Sequence, residues 1–281
     1  DGGLVWKAGE AWYRWDGRGV AQAALLKAED APGKPPKADD LRERQLRLIE
    51  TLRDDRARRE AAREQDDAWR AADKTRAPEP IWLGKDVDIA DSALSPDGHW
   101  LLVATTEKSA DKGTAGKMPK YVTESGYEEF EDVRTRVGRS DPLPHKLWLA
   151  EVSTGKLREL AFDALPGIKD DPLAAMRKAA GKDPLQGNRT LQVAALQWTS
   201  DSSNVAVMLR AVDNKDRWIV GIDPVKATLQ SRHRLHDGAW INWGFNDFGW
   251  LADGRTLWYL SEESGYSHLY TLDGSTRTQL T

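Results

Sequence analysis

Two pairs of adjacent glutamates, Glu128-Glu129 and Glu262-Glu263, are the first candidates for chemistry in this chain of 281 residues. Glu128-Glu129 lies in a charged excursion, residues 121–137 (YVTESGYEEFEDVRTRV), whose carboxylates can face a channel. The plainer alternative there is a solvated face. Glu262-Glu263 falls in a polar turn ending at Gly265 and reads as structural. His233-x-x-His236 raises a metal site. Two histidines three apart share a side only on a helix, this stretch reads as strand and loop, and no carboxylate stands at ligand spacing. Both read as surface histidines, and no metal or cofactor is expected. A serine nucleophile needs a Gly-x-Ser-x-Gly elbow between a strand and a helix. The nearest fragment, Gly265-Tyr266-Ser267-His268-Leu269, lacks the second glycine and lies in a hairpin, so Ser267 is not read as catalytic. His99, His145, His233, His236 and His268 support no Ser–His–Asp order, and there is no phosphate-cradling glycine loop.

The elements that would position these residues are short strands. Residues 248–273 (FGWLADGRTLWYLSEESGYSHLYTLD) contain three strand-like runs and two tight turns, one built on Asp253-Gly254. Residues 92–103 repeat the pattern with Asp97-Gly98 in the turn, and residues 196–209 repeat it with Asp201-Ser202-Ser203-Asn204. Self-similar units of short strands with a period of roughly 40–50 residues indicate propeller blades. The fold class is therefore all-β: a partial β-propeller of about three blades plus a partial N-terminal one, with a long helical insertion.

A family resemblance follows from these units. The Ser95-Pro96-Asp97-Gly98 turn before an apolar strand, the Leu147-Trp148-Leu149 strand and Ser153-Thr154-Gly155-Lys156 resemble the blades of prolyl-oligopeptidase-type propellers. Residues 261–273 (SEESGYSHLYTLD), residues 137–142 (VGRSDP) and residues 240–243 (WINW) are similar to the N-terminal propeller of dipeptidyl peptidase IV-like serine peptidases. The likeness covers residues 81–281 with gaps. It implies a tunnel that sizes peptides, a separate α/β-hydrolase domain that cuts them, and an exported or periplasmic setting. It also implies a glutamate pair that holds the substrate's free amine. The family's pair precedes the Ser-Pro-Asp-Gly strand, whereas Glu128 and Glu129 follow it, and a long helix stands in the earlier place. Glu128 and Glu129 are kept as the substrate-binding candidates on their own position. The segment alone is expected to be inactive.

Net charge is −4 with 41 basic and 45 acidic residues, a balance that carries no nucleic-acid footprint. There are 13 Trp and no Cys, which removes disulfides and thiolate metal sites. No run approaches the length of a membrane span. The start at Asp1 and the stop at Thr281 read as a segment cut from something longer. The expected organisation is a partial blade or hairpin over 1–27, a linker and long helix over 28–80, a blade over 81–165, a short helical insertion over 166–190, and blades over 191–245 and 246–281. Trp6, Trp12 and Trp15 offer an aromatic binding face or, by preference, core packing. The helix, expected from Asp39 to Lys74, carries Leu41, Leu48 and Leu52 on one face with Ile49 beside it, and is held further on by i,i+4 ion pairs. Open strand edges at 4–26 and 266–281 predict dimers, a swapped arrangement, or closure of the first strands onto the last blade. A scaffold that binds a protein partner through the helix is the alternative function.

Overall fold

The computed structural model describes residues 4–31, 41, 44, 45, 49–73, 78–108, 115–135 and 142–281. Four four-stranded sheets follow one another along the chain. The second is β5 (Val87–Leu94), β6 (Trp100–Glu107), β9 (His145–Glu151) and β10 (Lys156–Glu159), paired in that spatial order. Between β6 and β9 the chain leaves the sheet as a ribbon, β7 (Ala115–Lys120) against β8 (Glu129–Thr135). The third sheet is β11 (Leu191–Trp198), β12 (Val205–Ala211), β13 (Asp216–Asp223) and β14 (Thr228–His236). The fourth is β15 (Phe248–Trp250), β16 (Leu257–Ser261), β17 (His268–Asp273) and β18 (Thr276–Gln279). Consecutive sheets bury their facing sides in three apolar clusters, so the architecture is an arc of propeller blades. In the middle blades the second strand is covered on both faces. Leu101 to Ala104 and Val205 to Leu209 are accordingly buried without alternation.

The first sheet is built differently. It contains β1 (Leu4–Ala8), β2 (Ala11–Trp15) and β3 (Val20–Lys27), and is completed by β4 (Ile81–Trp82), which pairs parallel to β3. Every other pairing among these four sheets is antiparallel. Residues 4–27 give three strands with turns at 9–10 and 16–19, which fits a partial blade and exceeds a hairpin, and Ile81–Trp82, expected to lead the second sheet, joins the first. Trp12 is buried, Trp6 stacks on Tyr13 at 5.9 Å, and Trp15 remains 46% exposed.

Asp-Gly turns and indoles fasten the blades. Asp97 Oδ1 accepts from Ser95 Oγ (2.5 Å) and His99 N (3.0 Å), and Gly98 takes φ +79°, which a side chain would disfavour. The turns then reach across the seams: Arg14 Nε donates to Pro96 O (3.0 Å), Asp97 N to Ser202 Oγ (2.9 Å) and Asn204 Nδ2 to Gly254 O (2.8 Å). Trp12 Nε1 donates to Ser92 Oγ (3.2 Å), Trp198 Nε1 to Ala93 O (3.1 Å) and Trp250 Nε1 to Gln197 O (3.1 Å). Much of the tryptophan content is thus seam material, apolar in body and a donor at the tip.

Helix α1 (Glu50–Ala72) buries none of its residues, and Ile49, Leu52 and Trp69 are each 45% exposed. Arg56 Nε pairs with Glu60 Oε1 at 2.9 Å, as the i,i+4 spacing predicts. Asp39, Leu48 and Lys74 lie outside the described residues, as do residues 137–141 of the VGRSDP stretch. Residues 115–120 form β7 because β8 supplies its partner strand. The short helix α2 (Ala174–Ala179) begins after Asp171, whose Oδ1 accepts from Leu173 N at 3.0 Å. No helix among the described residues is long and apolar enough to cross a membrane.

Candidate substrate-binding face

Antiparallel pairing puts the ends of β6, β12 and β16 and the starts of β5, β11 and β15 at one end of the arc. The ribbon, the 212–215 loop, the 262–267 turn, the α2 segment and the 237–247 connection all emerge there. Long excursions gather at this end because tight Asp-Gly turns close the other.

Glu128 and Glu129 sit at the ribbon tip and are exposed. Glu129 Oε1 accepts from Ser125 Oγ at 2.8 Å. The ribbon is braced by Lys117–Asp132 (2.6 Å) and Lys120–Glu131 (2.7 Å), and its tip exposes Tyr121, Val122, Tyr127 and Phe130. Among the described residues neither glutamate shares an ion pair or hydrogen bond with the polar clusters at the blade seams.

Those clusters escaped the sequence reading. The first centres on Asp216, wholly buried at the start of β13, which accepts from Arg189 Nη1 (2.6 Å), Arg234 Nε (2.7 Å) and His236 Nδ1 (2.9 Å). Burial works to raise its carboxyl pKa, but the hydrogen bonds from His236, Arg234 and Arg189 outweigh it and hold the pKa below the usual range. Arg189 also grips Asp213 (2.7 Å), and Arg189 and Arg234 both lie over Trp218, at 5.5 and 5.9 Å.

The second cluster spans the seam between the third and fourth blades. Arg217 Nη1 donates to Asn246 Oδ1 (2.9 Å) and Leu260 O (2.7 Å), and Nη2 meets His233 Nδ1 at 3.1 Å. A guanidinium only donates, so His233 Nδ1 accepts and its proton sits on Nε2, 3.3 Å from Glu263 Oε2. Burial and then Arg217 push the His233 pKa down to about 4, with Glu263 opposing. Glu263 also pairs with Arg277 at 2.6 Å, while Glu262 Oε2 accepts from Asn242 N at 3.3 Å. The structural reading of Glu262-Glu263 fits this geometry. The surface reading of His233 does not: its side chain is 8% exposed, whereas that of His236 is 49% exposed. The two histidines answer different carboxylates, and no group able to hold a metal occurs among the described residues. One signal was available in advance, since Arg210 interrupts apolar β12 and Asp216 and Arg217 open β13, and charge is rare in such buried strands.

Ser267 Oγ donates to Phe245 O at 3.3 Å, a loop contact. Nearer the starts of the inner strands, His145 Nδ1 accepts from Val193 N (3.1 Å), and burial followed by nearby Arg210 lowers its pKa. Arg210 reaches Gln192 and lies over Trp243, whose Nε1 donates to Asn214 Oδ1 at 3.1 Å.

No family model matches the chain, and no curated protein sequence matches it. Solved structures do. Dipeptidyl peptidase 4 of Porphyromonas gingivalis is 16% identical with a TM-score of 0.45, over 68% of this chain and 24% of that one. A candidate dipeptidyl aminopeptidase IV from Bacteroides ovatus is 11% identical with a TM-score of 0.47, over 100% of this chain and 38% of that one. TolB from Acinetobacter baumannii is 13% identical with a TM-score of 0.28, over 74% of this chain and 46% of that one. The chain thus spans less than half the length of each, and no residue role is carried over from them.

Proposed function

We propose that this chain is the non-catalytic, substrate-gating and N-terminus-binding propeller of a dipeptidyl peptidase IV-like serine peptidase, with peptide as its ligand. Catalysis belongs in this reading to an α/β-hydrolase domain of the same polypeptide. The observation that carries it is the 261–273 signature set within an arc of blades. Its turn lies at the end where the excursions gather, and Glu262 and Glu263 tie that turn to Asn242, His233 and Arg277. Glu128 and Glu129 are the amine-binding residues of this proposal, and their exposed tip requires a substrate to reach the ribbon. Two measurements on the complete polypeptide test it. A fluorophosphonate should label an activated serine outside this segment. Glu128→Gln with Glu129→Gln should raise KM several-fold for free-amine peptides and leave N-acetylated ones unchanged. Absence of label removes the peptidase reading, and unaltered KM removes the glutamates.

A second reading rests on α1. A 23-residue helix with no buried residue, with Leu52 and Trp69 on it and Ile49 just before it all half exposed, suits a docking or oligomerisation arm of a non-enzymatic scaffold. Deleting residues 39–74 discriminates. Lost partner binding or self-association favours the scaffold, and altered peptide-size selection favours the gate.

A further inference from the structure

Two arginines stand opposite each other inside otherwise apolar strands. Arg210 on β12 and Arg217 on β13 are directly paired in the ladder, so their side chains leave the sheet on the same face. That face looks toward the fourth blade, where Ala206, Met208 and Ile219 pack with Phe248, Leu257 and Tyr259. Like charges at opposed positions repel, and burial strengthens the repulsion by removing water. Among the described residues neither guanidinium contacts a carboxylate. Arg210 donates from Nε (3.3 Å) and Nη2 (2.9 Å) to Gln192 Oε1 and lies 5.6 Å above the Trp243 ring. The partners of Arg217 are Asn246, the Leu260 carbonyl and the neutral His233. In the adjoining turn, Glu263 is held by Arg277 and reaches Arg217 only through His233, and Glu262 is held by the Asn242 amide.

Positive charge is therefore left over, and donors with it. Arg217 is completely buried, and its Nε has no acceptor; the Tyr259 and Ser261 hydroxyls facing the same seam are also unpartnered. Arg210 is only half-buried. Gln192 occupies its Nε/Nη2 edge, and Nη1 makes no hydrogen bond among the described residues. The end-on Nη1/Nη2 edge remains, which is a geometry that a carboxylate fills with two parallel hydrogen bonds.

The geometry points to a carboxylate-binding site at Arg210: Gln192 fixes the guanidinium, Trp243 forms one wall, and Arg217 adds a second charge from behind. The ligand is a carboxylate-bearing peptide, through its C-terminus or an acidic side chain. The word peptide rests on the function proposed above; the site itself rests on the arginine pair.

The test is calorimetric titration of this chain with tri-alanine, tri-alanine amide, the amides with Glu or Gln at the centre, and sodium acetate. Carboxylate probes should bind more tightly than their neutral counterparts. Arg210→Gln should weaken them about tenfold or more while leaving the neutral peptides unchanged. Arg210→Lys, which keeps the charge and the fold but not the fork, should recover part of that loss. A free acid that outbinds its amide identifies the C-terminus, and a Glu amide that outbinds the Gln amide identifies the side chain. Acetate binding that depends on Arg210, without peptide binding, upholds the carboxylate site and removes the peptide reading. Equal binding of acid and amide, or no Arg210-dependent binding of any probe, overturns the proposal.

Discussion

Asp216 answers three donors from inside a seam, and the energetics turn on that completeness. Asp216→Asn removes the negative charge that Arg189 and Arg234 share, and leaves buried Arg189 to Asp213 and partly exposed Arg234 to Asp170. The expected loss is about 3 kcal/mol in urea unfolding, the lower end for breaking a buried pair, because Arg189 stays buried with one carboxylate fewer. A loss under about 1 kcal/mol would mean that Asp213 and Asp170 take over both guanidiniums. His233 makes a pH prediction. Its folded pKa of about 4 lies below the usual value of 6.5, so the unfolded chain binds the proton first as pH falls. Stability is full above about pH 6.5 and declines toward pH 4, by about 2–3 kcal/mol from this group. His233→Gln keeps an acceptor for Arg217 and should flatten that part of the profile; an unchanged slope would assign the acid sensitivity to other groups. Gly167 shows a third kind of constraint. At φ +72° a Cβ there would lie 2.0 Å from Arg234 Nη1, so Gly167→Ala must displace the guanidinium that serves Asp216.

Among the elements, the seams are held by indoles and turn residues that donate from one blade into the next. Trp250→Phe preserves most of the apolar body and removes one hydrogen bond, the one to Gln197 O. A loss of about 1 kcal/mol is expected by thermal melting, the net worth of a typical hydrogen bond. The β7–β8 ribbon is the opposite case. A lone two-stranded ribbon is marginal in water, and this one depends on two cross-strand ion pairs with exposed side chains. Its amides should exchange with solvent faster than those of β6 and β12, and more so at high salt, where exposed pairs are screened. Equal protection at both salt concentrations would show that the tip residues pack against something.

For the whole molecule, the arc should keep most of its stability without α1. The helix buries no residue, and its contribution to the blade clusters is correspondingly small. Replacing residues 39–74 by a short flexible linker should shift the melting temperature by only a few degrees, since β3 and β4 already bring the flanking chain together. A much larger drop would show that the helix stabilises the first sheet. The same deletion serves the functional comparison, because it changes the periphery and leaves the seam between the third and fourth blades intact.

The strands, their Asp-Gly turns and the exposed helix were legible in the sequence because each is fixed by local physics: short apolar, β-branched and aromatic runs between turns, the left-handed freedom of glycine, and i,i+4 charge pairing. The turn that holds Glu262-Glu263 was legible in the same way. What the sequence left open depends on contacts between residues far apart in the chain. Ile81 pairs with Leu26 across the helical insertion, and His233 is buried because Arg217, Tyr259 and Glu263 close around it from another strand and the next blade. Arg210 and Arg217 look like ordinary strand interruptions until the β12–β13 register sets them side by side. Register and seam packing are global quantities, and only the folded arc decided which charges would be answered and which pair would be left facing each other.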